Sequence, residues 1–325
     1  MVDVTLPAAL RGAIEALTDG KSSGLSQRAA GLSDAYRQMR PSDGVVADNA
    51  DVAAYLLTRM PATYAAIARV LDEVVARAED FAPRTMLDAG AGPGTASWAA
   101  TGSFPSIEAP TLIDLNSGFL RLGAGLAAAG PLALQNAEWV AGDLSARRLG
   151  ERQFDFVIAA YSLTELQDAQ IVDVALGLWT RCTGVLVIVE PGRTRDYERL
   201  MVVRDALFEA GASIVAPCPH EQACPLLSGD WCHFSVRLAR TRAHRQAKGG
   251  TLGYEDEKFS YLVVARPEIA AAPTSARIIK QPIAKKFGID LPLCTPGGLE
   301  TRLIRKQDAT AFRAVRKLDW GDGLD

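Results

Sequence analysis

The stretch Met86-Leu87-Asp88-Ala89-Gly90-Ala91-Gly92-Pro93-Gly94-Thr95 constrains this chain more than any other. A short apolar run ends in an acid, three glycines alternate through a turn, and a helical pattern follows. Such a turn needs residues that tolerate sharp bends and let a ligand approach the backbone without a Cβ in the way. The helix after it directs free N–H groups at a polar or anionic group. A tight turn alone would also explain the glycines, so the second signal matters. Leu112-Ile113-Asp114 is another apolar run ending in an acid, 24 residues beyond Gly90. Nucleotide-binding α/β folds place a ribose-binding carboxylate at about 20 residues.

Around this stretch the hydrophobic period changes. Up to about residue 80 the apolar residues recur at helical spacing, over Leu6 to Leu17, Ser33 to Met39, Val52 to Leu57 and Tyr64 to Ala78. Asp48-Asn49-Ala50-Asp51 offers an N-cap for the third helix, and Met60-Pro61 separates it from the fourth. From Arg84 onward short apolar runs alternate with helical segments: Thr85–Asp88, Thr111–Asp114, Ala137–Val140, Phe154–Ala159, Val185–Glu190, Ala212–Ala216 and Phe259–Ala265. That alternation predicts a parallel sheet with crossover helices. Beyond an Ala/Pro linker, Arg277–Ile279, Phe287–Leu293 and Leu299–Arg305 read as strands, with Pro296-Gly297-Gly298 as turn chemistry. A last helix is expected over Ala309 to Leu318. The division is therefore a helical cap (1–80), an α/β core (81–267) with an insertion at 217–257, and a basic β-rich extension (268–325).

The G-x-G-x-G spacing, with an acid just before the glycines, resembles the class I S-adenosylmethionine (SAM) methyltransferases more than NAD enzymes. The resemblance implies a Rossmann-like seven-stranded sheet whose seventh strand inserts antiparallel. It also implies SAM as cofactor, with Gly90, Gly92 and Gly94 as the turn and Asp88 meeting the methionine ammonium. Asp114 would then take both ribose hydroxyls, and Asp143 would contact the adenine amino group. Loop or capping chemistry is the ordinary role of such acids. No catalytic residue is legible. The end of the fourth strand reads Ala159-Ala160-Tyr161-Ser162, in which only the aromatic echoes the signature of enzymes that methylate exocyclic amines. Glu165 reads as a first-turn acid on a helix dipole.

With 48% apolar and 22% charged residues and a net charge of −3, the chain has an ordinary globular composition. No apolar run is long enough to span a bilayer, and the start lacks a charged segment followed by an apolar core. A cytoplasmic protein with no membrane association is expected. In that reducing setting five cysteines are thiols or metal ligands rather than disulfides. Cys218, Cys224 and Cys232 share one irregular, proline-bearing segment, with His220 and His233 among them. Cys294 lies in the tail and Cys182 in an apolar stretch. Intervals of six and eight residues are looser than a compact zinc knuckle, so both zinc and an iron–sulfur cluster stay open.

Around these cysteines stand Pro217-Cys218-Pro219-His220, Ala223-Cys224-Pro225 and Trp231-Cys232-His233-Phe234, with Leu293-Cys294-Thr295-Pro296 and Arg316-Lys317-Leu318-Asp319-Trp320-Gly321-Asp322 further on. With the glycine loop, they are similar to the methyltransferase-like small-ribosomal-subunit assembly proteins of bacteria and mitochondria. That resemblance covers the chain from about Met60 to its end. It implies a [4Fe-4S] cluster on Cys218, Cys224, Cys232 and Cys294, with zinc as the alternative, and a tail folded back to bring the fourth thiol in. It also implies association with small-subunit rRNA or the assembling small subunit. Charge distribution agrees: from Arg277 to Lys317 ten basic residues face three acids in an otherwise acidic chain. A helix after Cys232 carrying Arg237, Arg240, Arg242, Arg245 and Lys248 is expected to add to that surface. No DNA partner is expected. Two rival readings are a non-catalytic rRNA-binding assembly factor and a small-molecule methyltransferase.

Overall fold

The computed structural model describes residues 4–18, 26–31 and 49–324. The helix expected over Ser33 to Met39, and Asp48 of the expected cap, lie outside the described residues. Among the described residues the chain opens with α1 (Ala8–Thr18) and a helix over 26–31, α2. α3 (Asn49–Arg77) then runs unbroken through Pro61. Two helices separated at Met60-Pro61 were expected, and the structure corrects this. An interior proline removes one backbone hydrogen bond and costs about 3 kcal/mol. Here Ala53, Ala54, Leu56, Met60, Ala65, Leu71 and Val74 are all buried along the helix, and burial of that stripe outweighs the break.

Five strands run parallel: β1 (Thr85–Ala89), β2 (Ala109–Asp114), β3 (Glu138–Ala141), β4 (Phe154–Ala160) and β5 (Cys182–Pro191). With β6 (Ser213–Ala216), β7 (Phe234–Ala239) and β8 (Tyr254–Ala265) they form one sheet ordered β3-β2-β1-β4-β5-β8-β6. β8 runs antiparallel to both β5 and β6. This order, with one reversed strand between the fifth and sixth, is the sheet of the class I SAM methyltransferases. Its strands bury both faces. Met86, Phe156, Val185 and Val187 look toward α3 and α4 (Thr95–Ser103), while Leu87, Val157, Leu186 and Ile188 look toward α7 (Ile171–Arg181) and α8 (Thr194–Glu209). Between them, α5 (Ser117–Ala127) and α6 (Leu132–Gln135) connect β2 to β3. No described helix is long and apolar enough to cross a membrane.

β7 is an eighth strand, beyond the seven expected, and pairs with the first half of β8. The expected helix after Cys232 is therefore confined to α9 (Arg242–Lys248). Phe234, Val236 and Leu238 are buried while Arg237 and Ala239 are exposed, which is the period of a strand. The basic run that suggested one continuous helix carries no such period.

The tail forms its own small sheet. β9 (Ala276–Ile278), β10 (Ile283–Lys285), β11 (Gly288–Thr295), β12 (Gly298–Arg305) and β13 (Gly323–Leu324) surround a core of Ile278, Leu291, Leu293 and, from α10 (Ala309–Val315), Val315. β11 and β12 turn through Pro296-Gly297, with Gly298 at φ 105°. β10 and β13, three and two residues long, are too short to show a period.

Arg277 joins tail to core. Its side chain is 1% exposed and lies 2.9 Å from Glu73 of α3, while its Nε and Nη1 donate to the carbonyls of Pro217 and Gly321 at 2.9 and 2.8 Å. Arg277 is therefore not one of the RNA-facing cations expected of the basic tail, because α3 and two backbone carbonyls have claimed it. Removing one member of such a pair leaves a buried charge without its partner. Arg277→Ala should therefore lower unfolding free energy by about 3–5 kcal/mol in chemical denaturation. Arg305→Ala, at an exposed position, should change it by less than about 0.5 kcal/mol.

Candidate functional site

At the carboxyl edge of the parallel strands lies a cavity of about 460 Å³. The glycine turn forms one wall, where the chain leaves β1 and enters α4. Gly90 sits at φ 73°, and a Cβ there would come within 2.4 Å of the Ser162 Cβ, so the turn after β4 can press against it only because no side chain intervenes. Gly92 donates its N–H to Asp114 Oδ2 at 2.8 Å, and Asn116 donates to Asp114 Oδ1 at 2.7 Å. The second acid therefore clasps the first turn. Burial holds Asp114 above the usual carboxylate range, and these two backbone donors oppose it.

Asp88 is 1% exposed and accepts both the N–H and the hydroxyl of Ser97 on one oxygen, at 3.0 and 2.8 Å. Burial pushes its carboxyl up to about 7. Asp143 is exposed and accepts from the backbone N–H of Ser145 at 3.0 Å and from its hydroxyl, the loop chemistry that an Asp at a turn commonly shows. All three acids line the cavity with Gly90 and Gly92. Gly94 instead ends the turn at φ 85°, its α-carbon side closed by the Trp139 ring.

The opposite wall was not legible as part of a site. Tyr55, Arg59, Thr63 and Ile67 of α3 line the cavity at strict four-residue spacing, so one stripe of the helix covers it. That spacing could have been read, but it is also the spacing of a core stripe. Burial raises Tyr55 to about 12. Tyr161, Glu165 and Arg193 enter from the turns after β4 and β5, and Glu257 from β8. Behind them Glu190 is buried and accepts the N–H groups of Leu163 and Thr164, both at 3.0 Å. Burial, with Asp196 nearby, pushes it up to about 8.

A second, smaller cavity of about 40 Å³ is lined by Cys218, Cys224, Cys232 and Cys294 together with Tyr197, Arg204 and Arg277. The tail does fold back, since Cys294 on β11 shares this space with three thiols of the loop between β6 and β7. That loop is pinned from several sides. Trp231 Nε1 donates to the Gly192 carbonyl at 3.1 Å, Arg204 Nη2 to that of Gln222 at 2.6 Å, and Ser260 Oγ to that of Cys232 at 2.9 Å. Burial raises Cys218 and Cys232, and raises Cys294 to about 12, with neighbouring thiols adding to each shift. Tyr197 Oη is 3.2 Å from Cys224 Sγ, and His220 Nε2 is 3.6 Å from Cys294 Sγ. His233 is committed elsewhere, stacked on Trp231 at 4.8 Å. Among the described residues no group of three or more His, Cys, Asp or Glu side chains is arranged to hold a metal ion. Cys182 lies apart, buried at the start of β5.

Many cations of the expected basic surface are already paired. Arg237 holds Asp256 at 2.7 Å, Arg240 and Lys248 hold Glu255, Lys280 holds Asp230 at 2.7 Å, and Lys285 and Arg302 hold Asp290 and Glu300. A denser patch remains where β10, β11 and β12 meet. Lys286, Arg305 and Lys306 are exposed there beside Phe287, itself 56% exposed, and Lys306 N–H donates to the Phe287 carbonyl at 2.9 Å.

The human mitochondrial ribosome assembly protein METTL17 is 28% identical over 287 residues, which is 83% of this chain and 61% of that protein. The Schizosaccharomyces pombe mitochondrial Rsm22-cox11 tandem protein 2 is 24% identical over 336 residues, 83% of this chain and 42% of that one. This chain thus spans less than two thirds of either relative. Among solved structures, magnesium protoporphyrin IX methyltransferase from Synechocystis with bound SAM aligns at a TM-score of 0.42 and 14% identity, over 76% of this chain and 97% of that one. The family model described as mitochondrial small ribosomal subunit Rsm22 matches residues 49–325, and the chain belongs to that family.

Proposed function

We propose that this chain is a SAM-binding, methyltransferase-like protein that acts on the small ribosomal subunit through its rRNA, in the compartment that houses that ribosome. The observation that carries the cofactor reading is the gathering of Asp88, Asp114, Asp143 and the glycine turn on one cavity at the switch edge of the sheet. Asp114 is the central residue, since it braces the turn and faces the cavity. Asp114→Asn keeps the size and one acceptor oxygen but loses the charge. It should weaken SAM binding by about 1.5–3 kcal/mol, the worth of a charge-assisted hydrogen bond. Isothermal calorimetry checks this, and undiminished affinity would remove Asp114 from the site.

The second part of the proposal is a [4Fe-4S] cluster on Cys218, Cys224, Cys232 and Cys294. Support comes from number and chemistry. Four thiols of two segments line one cavity, no carboxylate shares it, and mutual repulsion of their thiolates is what a cationic group would relieve. When bound, such a group supplies a cross-link between the β6–β7 loop and β11, closing 62 residues between Cys232 and Cys294. Cys294→Ser should lower iron and sulfide in protein purified without oxygen and should speed proteolysis of the tail. Full iron and sulfide in that variant would exclude Cys294, and stoichiometric zinc without sulfide would exclude the cluster.

The rRNA reading rests on family membership and on the patch of Lys286, Arg305 and Lys306 beside exposed Phe287. Phosphate contacts give a salt slope of about −0.7 each on single strands. Replacing all three cations by Gln should flatten the slope for small-subunit rRNA by about 2 in filter binding across a salt series. A salt-independent interaction of the intact protein would favour the small-molecule reading instead.

A further inference from the structure

Tyr161 lines the cavity and has no part in the cofactor assignment. It follows β4 in the left-handed region, at φ 57°, a strained conformation for an aromatic residue. Two bonds hold it there. Its N–H donates to the Val189 carbonyl at 2.7 Å, and its hydroxyl donates to Glu257 Oε1 at 3.1 Å. Arg59 of α3 completes the arrangement. Its Nη2 lies 3.5 Å from the same Glu257 oxygen, and its guanidinium carbon is 5.9 Å from the Tyr161 ring centroid. Three separate elements thus converge on one phenol, and all three side chains line the cavity with Asp88 and Asp114.

Resting on the SAM reading above, we propose that Tyr161 contacts the reactive side of the bound cofactor and selects a methyl acceptor that carries an N–H or O–H donor. A phenol has one proton and two acceptor lone pairs. The Tyr161 proton is given to Glu257, so a lone pair is what the oxygen offers to the cavity. Arg59 holds the Glu257 carboxylate in place by charge and lies against the ring. Burial, with the Glu257 charge beside it, keeps the phenol well above its usual range and therefore neutral. An amine or hydroxyl satisfies this oxygen, whereas a carboxylate or phosphate would meet it lone pair to lone pair. Location supports the assignment. The glycine turn and Tyr161 end adjacent parallel strands at one edge of the sheet, with Asp88 in register with Ile158, so Tyr161 lies across the crevice from Asp114 on β2.

The same contacts give a balanced transfer. The acceptor's nitrogen or oxygen lone pair forms the new bond to the methyl carbon as the carbon–sulfur bond breaks, its electron pair going to sulfur. The acceptor proton moves to Tyr161 Oη while the Tyr161 proton moves to Glu257. Tyr161 touches the acceptor, and Glu257 and Arg59 are positioning residues.

The test requires no known acceptor. Sinefungin carries an ammonium where SAM carries its methylsulfonium, and S-adenosylhomocysteine carries neither. Calorimetry with both ligands should find sinefungin the tighter in the intact protein. In Tyr161→Phe the ratio of the two affinities should fall about tenfold or more, the worth of one charge-assisted hydrogen bond. Glu257→Gln should lower it too, because the amide can donate to Tyr161 and turn the phenol proton toward the cavity. An unchanged ratio in both variants overturns the inference and leaves the cofactor reading standing. Failure of S-adenosylhomocysteine to bind the intact protein overturns the cofactor reading, and this inference with it.

Discussion

The ion pair between Arg277 and Glu73 holds together parts that are distant in sequence. Charges this deeply buried are tolerated only where an opposite charge and polar groups stand against them. Arg277 meets that demand with a carboxylate from α3, a carbonyl from the loop that begins the cysteine segment, and a carbonyl from the far end of the tail. Arg69 and Arg77 flank Glu73 on α3, and Arg69 reaches Asp322 at 2.8 Å, so the helix grips the tail at a second point.

Two elements run past both cavities. α3 covers the larger one with Tyr55, Arg59, Thr63 and Ile67 and then anchors Arg277, which lines the smaller. β8 contributes Glu257 to the larger cavity and Ser260, Tyr261 and Leu262 to the smaller. Interiors are close-packed, so a shift of either element at one cavity is felt at the other. The proposed cofactor pocket and the cysteine cavity therefore share walls, although their residues lie far apart in the chain.

Ion pairing also reshapes the basic surface. A count of Lys and Arg in the tail gives a strong positive excess, yet the fold returns much of it to local carboxylates and buries one arginine outright. What remains concentrated is a patch at the end of three strands, with an exposed aromatic ring beside it. Net charge is a property of composition, whereas a binding surface is the charge that pairing leaves uncompensated.

By itself the sequence determined the α/β core and its glycine turn. Strand and helix periods are local, and a turn that needs positive φ writes its glycines into the chain. Asp88, Asp114 and Asp143 were legible because each ends or follows a strand, and strand ends meet at one sheet edge. The grouping of four cysteines came from resemblance, and in the fold the tail turns back so that Cys294 lines one cavity with the other three. Tertiary structure alone decided the rest. Burial carried α3 through Pro61, pairing with β8 made Phe234–Ala239 a strand, and the partners of Arg277 took it from the surface. Glu257 and Arg59 meet Tyr161 across 96 and 102 residues of chain, and no local pattern marks a contact that exists only once the sheet has closed beneath the helix.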